Sequence, residues 1–453
     1  MEYFDILVVG SGSGTSIVDA ALSQGMKVAL VEREKLGGTC LNRGCIPSKM
    51  IIYPGDIINI IKNAGKFGIK TSIDDIDFTF IMERMRKSVE EDRKHIEIGV
   101  KNSPKLKYYH GTGEFIADYT MKVDNEKIQA KNIFLVTGAR PEIPSIKNLD
   151  KIKYWTSDDI WELQNKPKSL IICGGGFIAI EMAHFFNSVG VDVTNLSRSH
   201  RILKNSEPEI SETLTQSMRS RMNVITGVEV IEVRDSKDFK EVIAVDNFGK
   251  KQVFRAEALL IATGLKSNAD LMNPTKTGVQ LDENGWIKVN EFFETTKDRI
   301  WAFGDAIGKG MFKHVANQEA EVVWHGFSQG HRHAFRFDNI PYAVFSWPEI
   351  ASVGLTEEAV IKQGKKVLVG QWNYADTAYG LAMGEEDGFV KFVVEEETLK
   401  ILGCHIIGPH ASILIQEVVN CMYCGDETIY PIIDAMHIHP ALSEVVQKAA
   451  FNL

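Results

Sequence analysis

Residues 4–32 read FDILVVGSGSGTSIVDAALSQGMKVALVE and combine two apolar stretches with a glycine-rich turn and a helical pattern between them. This order predicts a buried β-strand, a tight turn, an α-helix and a second strand parallel to the first. A strand–helix–strand unit of this kind begins a doubly wound sheet. We therefore expect an α/β fold built on a parallel sheet.

The small residues of the turn indicate what this first unit binds. Gly10 and Gly12 let the backbone approach a pyrophosphate, whose negative charge is favoured at the N-terminus of the following helix. Thr15 stands where a third glycine usually lets the helix pack closely on the strand. The neighbouring Gly14 partly compensates for the larger side chain of Thr15. Glu32 ends the second strand, where a carboxylate suits the hydroxyls of a ribose. Together these features predict a dinucleotide site.

The same order of elements returns at residues 168–196, which read KSLIICGGGFIAIEMAHFFNSVGVDVTNL. Gly174, Gly176 and Ala179 take the positions of the three small residues in the turn. The second strand of this unit ends at Ser197 instead of an acid. The chain is therefore expected to carry two dinucleotide-binding units, far apart in the sequence.

A basic cluster follows the second unit. Its members are Arg198, His200, Arg201 and Lys204. An acid here would repel the 2′-phosphate of NADPH, whereas basic side chains hold it through charge-assisted hydrogen bonds. A solvated basic loop is the alternative, but the charges fall where the ribose should lie. The sequence therefore favours NADPH, with NADH possible.

Cys40 and Cys45 stand in GGTCLNRGCIPSKM, residues 37–50. Five residues along an ideal helix rise about 7.5 Å, which exceeds the Cα separation of roughly 4.4 to 6.8 Å that a disulfide tolerates. A disulfide therefore requires irregular backbone between the cysteines, which Gly44 and Pro47 can supply. A zinc site would need four ligands, and no second pair lies nearby in the sequence. The pair is expected to be redox-active.

Composition limits the kinds of partner. The 453 residues carry a formal net charge of −9, which argues against general binding to nucleic acid or to an anionic membrane. No apolar run approaches the ~20 residues that span a bilayer, and the N-terminus lacks the basic start of a secretory signal. Six cysteines are too few for a disulfide scaffold. We expect a cytoplasmic protein whose partners are small molecules.

Residues 338–453 change in pattern to short strands followed by helices, which predicts a separate α+β domain. Near its end, the segment HIHPALSE places His439 just before Pro440, a residue that suits the first position of a helix. Glu444 then lies about one turn further along. Its carboxylate would orient the imidazole and stabilise the protonated form, although helix capping is an equal alternative.

With these residues in view, the chain resembles the flavin-dependent pyridine nucleotide-disulfide oxidoreductases, the family of glutathione reductase, dihydrolipoamide dehydrogenase and mycothione reductase. The resemblance covers essentially the whole chain. Its strongest motifs, in order, are GGTCLNRGCIPSK (37–49), GGGFIAIE (174–181), LLIATG (259–264), IWAFGDA (300–306) and HPALSE (439–444). FKHVANQEA looks most like mycothione reductase, whereas HIHPALSE, with its additional His437, resembles dihydrolipoamide dehydrogenase.

The resemblance implies two Rossmann-type dinucleotide-binding domains and a C-terminal α+β dimerisation domain. The FAD domain would be discontinuous, with residues 1–143 and 266–337, and the NAD(P)H domain would comprise 144–265. The interface domain, 338–453, would form a homodimer and lend His439 to the other subunit.

The resemblance also implies roles for individual residues. Asp305 would bond the sugar chain of the flavin, and His314 would lie where a helix N-terminus faces the isoalloxazine. Lys49 and Glu181 match a buried ion pair beside the flavin. The implied FAD-binding residues are Gly10, Gly12, Gly14, Glu32, Gly38, Thr39, Lys49, Gly113, Thr137, Gly138, Asp305, His314 and Ala316. The implied NADPH-binding residues are Gly174, Gly176, Ile178, Glu181, Arg198, Arg201, Lys204 and Gly264.

The implied reaction is a relay from NADPH through FAD to the Cys40–Cys45 disulfide and then to a small-molecule disulfide. Cys45 would lie nearer the flavin, and Cys40 would attack the substrate. His439, supported by Glu444, would protonate the departing thiolate. The implied catalytic residues are Cys40, Cys45, His439, Glu444, Lys49 and Glu181.

Three other functions compete with this reading. The enzymatic runner-up is dihydrolipoamide dehydrogenase, which would prefer NAD and act on lipoyl groups. A mercuric reductase is disfavoured because the chain ends in AAFNL, without that group's terminal cysteine pair. A redox-sensing or complex-binding flavoprotein with little turnover is disfavoured because both cysteines, His439 and Glu444 are all present.

Arg43 stands between the two cysteines, where the family commonly has a small apolar residue. Its charge would stabilise a thiolate or meet an anionic substrate, or its side chain would point to solvent. The remaining cysteines and histidines are not expected to form a metal site, because the cysteine pair is expected to pack at the interface and the three histidines to lie on a surface loop. They are Cys421, Cys424, His325, His331 and His333.

Overall fold

The computed structural model describes all 453 residues. The elements up to residue 141 are β1 (Glu2–Val9), α1 (Gly14–Ser23), β2 (Val28–Glu32), α2 (Gly38–Arg43), α3 (Cys45–Asn63), α4 (Phe78–Lys101), β3 (Leu106–His110), β4 (Gly113–Ala117), β5 (Thr120–Val123), β6 (Glu126–Leu135) and β7 (Ala139–Pro141). The first strand, helix and second strand agree with the prediction from residues 4–32.

The second part of the chain is also mixed α/β. Its elements are β8 (Trp155–Thr156), β9 (Ser169–Cys173), α5 (Phe177–Ser188), β10 (Asp192–Ser197), α6 (Pro208–Arg219), β11 (Asn223–Thr226), β12 (Val228–Asp235), β13 (Lys240–Asp246), β14 (Lys251–Ala256), β15 (Ala258–Ile261) and β16 (Leu265–Ser267). The predicted repeat of strand, glycine turn, helix and strand is confirmed in β9, α5 and β10.

The last elements follow residue 299. They are β17 (Ile300–Ala302), α7 (Lys313–Gln329), β18 (Tyr342–Val344), β19 (Ile350–Gly354), α8 (Glu357–Lys362), β20 (Val367–Asn373), α9 (Ala378–Met383), β21 (Phe389–Glu395), β22 (Ile401–Ile407), α10 (Ala411–Tyr423), α11 (Tyr430–Asp434) and α12 (Ser443–Phe451). Short 3₁₀ helices occupy Ala64–Phe67, Leu149–Lys151, Ile160–Glu162, Ala269–Met272, Pro274–Thr277, Gly304–Ile307 and Tyr374–Asp376.

The first sheet has the strand order β3-β2-β1-β6-β5-β4, and β17 pairs in parallel with the second half of β6. Strands β3, β2, β1 and β6 are parallel, so their carboxyl ends lie at one edge of the sheet. Because β17 returns to this sheet from beyond residue 266, the first sheet is discontinuous in sequence. The proposed domain boundaries at 143/144, 265/266 and 337/338 remain predictions.

Gly14 lies where α1 packs on β1. A Cβ atom on Gly14 would lie 2.8 Å from Cγ1 of Val8, so a larger residue would push the helix away. The hydroxyl of Thr15 donates to the carbonyl of Gly12 at 2.9 Å. Gly14 therefore meets the packing requirement that the sequence pattern would place at residue 15.

The second sheet is parallel, with the order β11-β10-β9-β15-β8, beside a small antiparallel sheet of β12, β13 and β14. The third sheet, β18-β19-β22-β21-β20, is antiparallel and packs against α10 and α12. This architecture is the α/β fold with a C-terminal α+β domain that the sequence predicts. No helix has the length and apolar character required to cross a membrane.

A buried lysine joins the third sheet to the second unit. Lys391 is almost fully buried, and its ammonium lies 2.6 Å from Glu207, 2.9 Å from Glu209 and 2.7 Å from Glu357. Burial of a charge is costly unless it is paired, and these three carboxylates surround the ammonium. The cluster therefore fixes the C-terminal domain against the start of α6.

Candidate active site

A cavity of about 710 Å³ opens at the carboxyl ends of β1, β2 and β6. This edge is where ligands bind in open α/β sheets. The lining also includes residues of α5 and of the C-terminal domain. The sequence-predicted residues that line it are Gly10, Gly12, Glu32, Gly38, Thr39, Cys40, Cys45, Lys49, Gly113, Thr137, Gly138, Ile178, Glu181, Asp305, His314 and Ala316.

Glycines let the backbone segments that form one wall of this cavity pack closely together. Gly10 has a φ of 110°, and a Cβ atom there would lie 2.1 Å from the carbonyl oxygen of Val136. A Cβ atom on Gly38 would lie 2.6 Å from the Cα atom of Gly12. Thr137 adds a buried hydroxyl that has no hydrogen-bond partner within the chain. Bare backbone and an unpaired hydroxyl fit a dinucleotide such as FAD.

Glu32 organises the glycine turn from the end of β2. Its Oε2 atom accepts hydrogen bonds from the backbone N–H of Ser11 at 2.9 Å and from the Ser11 hydroxyl at 2.8 Å. The same hydroxyl oxygen accepts a hydrogen bond from the N–H of Gly37 at 3.0 Å. The carboxylate therefore connects the turn to the segment that carries the two cysteines.

The two cysteines lie on consecutive helices that break between them. Cys40 is in α2, Cys45 is the first residue of α3, and Gly44 between the helices has φ −130° and ψ −113°. The prediction of irregular backbone is confirmed at Gly44. Pro47 lies in the first turn of α3, where its missing N–H cannot bond the carbonyl of Arg43, so it also opposes a continuous helix. Both cysteines carry free thiols.

The two thiols differ in acidity. A hydrogen bond from the Cys40 thiol, together with the nearby ammonium of Lys49, lowers the pKa of Cys45 to about 7, although burial opposes the shift. The same hydrogen bond and burial raise the pKa of Cys40. The reduced pair therefore carries its first negative charge on Cys45, while Cys40 keeps its proton.

Lys49 and Glu181 form an ion pair across the cavity floor. The ammonium of Lys49 lies 2.8 Å and 2.7 Å from the two carboxylate oxygens of Glu181. Glu181 is 8% exposed and also accepts a hydrogen bond from the N–H of Phe345 at 3.1 Å. The ring of Phe345 lies 4.2 Å below the ammonium. The pair thus joins α3, α5 and the C-terminal domain beside the thiols.

The start of α7 forms the opposite side of the cavity. Burial raises the pKa of Asp305 to about 6, and the nearby charge of Lys313 opposes that shift. His314 lies at the helix N-terminus as expected, and its imidazole Nε2 is 2.8 Å from the carbonyl oxygen of Pro341. Sequence reasoning missed Lys313, although the quoted motif FKHVANQEA contains it. The side chain lines the cavity together with that of Asn317.

Arg43 is paired and does not point to solvent. One guanidinium nitrogen lies 3.2 Å from Oδ2 of Asp158, and the side chain is only 21% exposed. Burial raises the pKa of Asp158, while the charge of Arg43 opposes that rise. The charges that act on Cys40 and Cys45 come from Lys313 and Lys49 instead. The solvent interpretation of Arg43 is therefore wrong, and sequence reasoning missed its partner.

The second glycine turn lies outside the cavity lining. Gly174 has a φ of 144°, and a Cβ atom there would lie 2.1 Å from the carbonyl oxygen of Ala262. Gly176 is the residue before α5, and Gly264, with a φ of 141°, follows β15. Gly174 and Gly264 therefore occupy conformations that favour glycine, at the carboxyl ends of β9 and β15.

The basic cluster after β10 is only partly free. Arg198 and Lys204 are exposed and form no ion pair. Arg201 is half-buried and lies 4.0 Å from Glu358, and His200 contacts Asn247 at 2.9 Å. Arg198 and Lys204 are therefore the members of the cluster whose charges are unpaired. Of these two, Arg198 directly follows β10.

His439 lies outside the cavity of its own chain. Its Nδ1 atom is 2.9 Å from Oε1 of Glu444, as the sequence predicts, and its side chain is 72% exposed. The hydrogen bond from His439 lowers the pKa of Glu444. The expected helix start at Pro440 is wrong, because α12 begins at Ser443 and Pro440 lies in the preceding turn. The imidazole is therefore oriented by Glu444 but does not line the cavity that holds the thiols of the same chain.

The other cysteines and histidines lie apart from these groups. Burial raises the pKa of both Cys173 and Cys404. Cys421 is half-buried at the end of α10 and Cys424 is exposed just after it. His331 and His333 lie on an exposed loop, whereas His325 lies on an exposed part of α7 and not on that loop. The predicted surface loop is therefore wrong for His325, because α7 extends to Gln329.

Comparisons with known proteins agree with this arrangement. A family model described as pyridine nucleotide-disulphide oxidoreductase matches residues 4–320, and the dimerisation domain of the same family matches residues 340–450. The chain is 33% identical to mycothione reductase of Mycobacterium tuberculosis, with 100% of both chains covered. It is 32% identical to dihydrolipoyl dehydrogenase of Bacillus subtilis, over 99% of this chain and 97% of that protein.

A mercuric reductase and a solved structure extend the comparison. The mercuric reductase of Lysinibacillus sphaericus is 32% identical over 91% of this chain and 76% of that protein. The HOCl-induced flavoprotein disulfide reductase RclA from Escherichia coli is 25% identical, with a TM-score of 0.86 over 97% of this chain and 98% of that chain. Since a family model matches more than half of its length, the chain belongs to the pyridine nucleotide-disulphide oxidoreductases, which are FAD-dependent enzymes that use a nicotinamide nucleotide.

Proposed function

We propose that the protein reduces a low-molecular-weight disulfide, of the mycothione or glutathione type, with NADPH. The observation that carries the proposal is the position of Cys40 and Cys45 in one cavity, beside the Lys49–Glu181 ion pair. The overall change is NADPH + H⁺ + RSSR → NADP⁺ + 2 RSH. FAD, when bound, transfers the two electrons between the nicotinamide and the protein disulfide.

The residues suited to hold FAD are those of the first unit. Gly10, Gly12 and Gly38 line the cavity and have no side chains, so a pyrophosphate can approach their backbone closely. Glu32 lies at the end of β2 for the ribose hydroxyls, and Asp305 presents a carboxylate to the sugar chain. These roles agree with a cavity bounded by the glycine turn and the start of α7.

The two cysteines then perform thiol–disulfide exchange. Cys40 gives its proton to the imidazole of His439 from a second copy of the chain and attacks one sulfur of the substrate as a thiolate, which forms a mixed disulfide and releases RS⁻. Cys45, the more acidic thiol, attacks the Sγ atom of Cys40 in that mixed disulfide and releases the second RS⁻. The Cys40–Cys45 disulfide is thereby restored for the next two electrons.

His439 is proposed to supply the proton to the departing thiolate. It is exposed, oriented by Glu444, and outside the lining of the cavity that holds the thiols of its own chain. The chain carries the dimerisation domain of its family. We therefore assign the proton to His439 from a second copy of the chain, in a homodimer.

NADPH is proposed as the electron donor because of Arg198. The residue is exposed, lacks an ion pair and directly follows β10 at Ser197, where no acid would repel a 2′-phosphate. Replacement by methionine should raise the KM for NADPH at least tenfold and change that for NADH by less than twofold. Lys168→Met, which removes a charge at the opposite end of β9, is the matched control. An equal effect on both nucleotides would refute the assignment.

Dihydrolipoamide dehydrogenase is the second candidate, favoured by the segment HIHPALSE. Its additional His437 is nearly buried, with Nε2 at 2.7 Å from Glu417. This contact fixes the segment before His439, and that role is compatible with both candidate reactions. A redox-sensing or complex-binding flavoprotein with little turnover is the third candidate.

The deciding experiment is oxidation of NADPH and of NADH by the holoenzyme against lipoamide and the disulfides of glutathione, coenzyme A and mycothiol. Fast NADPH turnover on one thiol disulfide, with lipoamide idle, supports the proposal and identifies the substrate. Fast lipoamide turnover with NADH makes the protein a dihydrolipoamide dehydrogenase. Absence of turnover on every disulfide, with the cysteines still reduced by NADPH, favours the sensing role.

A further inference from the structure

Two helices from different units meet along a line of polar contacts. α3 begins at Cys45, whereas α5 follows the second glycine turn. On each helix the contacting residues recur every three, four or seven positions, so they share one face. From the start of both helices onward, the pairs are Lys49–Glu181, Asp56–His184 and Asn59–Ser188. These contacts tie the helix that carries Cys45 to the second unit.

The contact between Asp56 and His184 is enclosed by the two helices. Nε2 of His184 lies 2.8 Å from Oδ1 of Asp56, and the histidine side chain is 1% exposed. Because an ionised carboxylate only accepts hydrogen bonds, Nε2 donates this one. The helices are also close at Gly55, where a Cβ atom would lie 3.4 Å from Oγ of Ser188. A buried polar group is costly without its partner, so the contact fixes the distance between α3 and α5.

Asp56, His184 and Ser188 follow the order of a hydrolytic triad, but the hydroxyl is not free for such chemistry. Ser188 is fully buried. Its hydroxyl donates to the carbonyl oxygen of His184 at 2.7 Å and accepts from the amide of Asn59 at 3.0 Å. A base takes a proton that is directed at it, and this proton is directed at the carbonyl. The network therefore acts through the position of the helices.

The redox site depends on that position through Glu181. Glu181 lies three residues before His184 on the same face of α5, and its carboxylate is 2.7 Å from the ammonium of Lys49. Lys49 is one turn of α3 after Cys45. A displacement of α5 at His184 therefore displaces Glu181, and with it the ammonium that is bonded to Glu181.

We propose that Asp56 and His184 are positioning residues, which hold α5 against α3 so that the Lys49 ammonium stays beside Cys45. The inference rests on the proposed function, because Cys45 is the thiol that restores the protein disulfide. Neither Asp56 nor His184 lines the cavity, so neither is assigned a contact with a substrate. They act through the Lys49–Glu181 ion pair and exchange no proton or electron with the thiols.

The test removes each partner of this contact and then restores it. His184→Ala and Asp56→Ala abolish the hydrogen bond, whereas His184→Gln keeps a donor and Asp56→Asn keeps an acceptor. Asp56 is partly exposed, so its substitution keeps the test decisive if His184→Ala does not fold. The control is Thr215→Val on α6, which removes a buried hydrogen bond to the carbonyl of Ser211.

The readout is the ionised fraction of Cys45 in the reduced, FAD-loaded protein. Iodoacetamide alkylation of Cys45 is followed by mass spectrometry across the pH range. Because Lys49 acts on this thiol more strongly than Glu181 does, a looser ion pair should lower the thiolate fraction near neutral pH about twofold, with the midpoint moved to higher pH. The two restoring variants and the control should match the unmodified protein.

A second background separates positioning from a general loss of stability. The ammonium is absent in Lys49→Met, so addition of His184→Ala should lower the thiolate fraction no further. The free energy of unfolding, measured by chemical denaturation, should fall in Thr215→Val as well as in the alanine variants, because each loses a buried hydrogen bond.

Two results would overturn the proposal. If the alanine variants are destabilised as Thr215→Val is but keep the thiolate fraction unchanged, the contact only stabilises the fold. If the effect of His184→Ala persists in full in Lys49→Met, the contact acts on the thiol without Lys49. The measurement needs neither NADPH nor a disulfide substrate. Failure of this inference is therefore distinguishable from failure of the proposed function.

Discussion

The ammonium of Lys49 lies 2.7 Å from the carboxylate of Glu181, although 132 residues separate the two in the chain. Lys49 is on α3, four residues after Cys45, and Glu181 is on α5 of the second unit. The pair therefore places opposite charges beside the more acidic thiol. The pKa of Cys45 reflects both, because Lys49 lowers it and Glu181 raises it.

The first prediction concerns the charge of Glu181. Glu181→Gln should lower the pKa of Cys45 further, because the Lys49 ammonium then acts without its opposing carboxylate. Lys49→Met should raise it. The measurement is the pH titration of thiolate ultraviolet absorbance in the reduced protein, with Cys45→Ser as the blank. Glu162→Gln, at an exposed site, is the matched control. A shift in the same direction for both substitutions would contradict the electrostatic explanation.

The second prediction concerns the hydrogen bond between the thiols. The pKa of Cys45 is lowered to about 7, so its thiolate predominates above neutral pH and is lost as the pH falls through 7. Cys40→Ala should move that midpoint upward, since it removes the thiol donor that makes the largest contribution to the shift. The same absorbance titration reports both values. A midpoint that stays near 7 in Cys40→Ala would contradict the hydrogen-bond explanation and leave Lys49 as the main cause of the lowered pKa.

The third prediction separates the two halves of the proposed reaction. Glu444→Gln removes the negative charge that orients His439, so protonation of the departing thiolate should slow by roughly 10- to 100-fold. Reduction of the protein disulfide by NADPH should be much less affected, because the proton that His439 is proposed to donate goes to the substrate thiolate in the other half-reaction. Stopped-flow measurement of each half-reaction checks this. Equal slowing of both halves would instead indicate that the substitution disturbs α12.

Local sequence patterns predict the frame of the site but not the direction of every side chain. The strand, turn and helix around Gly10 are predictable because apolar periodicity and glycine conformations are local properties. The break at Gly44 is predictable because disulfide geometry forbids a continuous helix there. These arguments use only neighbouring residues.

The remaining features depend on tertiary packing. Lys313 and His314 are adjacent at the start of α7 and both line the cavity, but only tertiary packing gives Lys313 its contact with Ser13 and His314 its contact with the carbonyl of Pro341. Asp158 meets Arg43 across 115 positions of sequence. Pro440 suits a first helical position but also a preceding turn, and the pattern alone does not distinguish them. Contacts of this kind appear only when the units are packed together.

The last prediction concerns the ion pair between Arg43 and Asp158. Arg43→Val leaves the largely buried carboxylate of Asp158 without its cation, so the free energy of unfolding should fall by about 1 to 2 kcal/mol. Asp158→Asn alone should cost a similar amount, and the double substitution should cost less than the sum of the two. Chemical denaturation of the FAD-loaded protein gives these values.

The titration of Cys45 should remain near pH 7 in Arg43→Val, because the neighbouring charges that act on this thiol are those of Lys49 and Glu181. If Arg43→Val instead shifts the pKa of Cys45 and leaves the free energy of unfolding unchanged, Arg43 acts on the redox pair and does not stabilise the fold through Asp158.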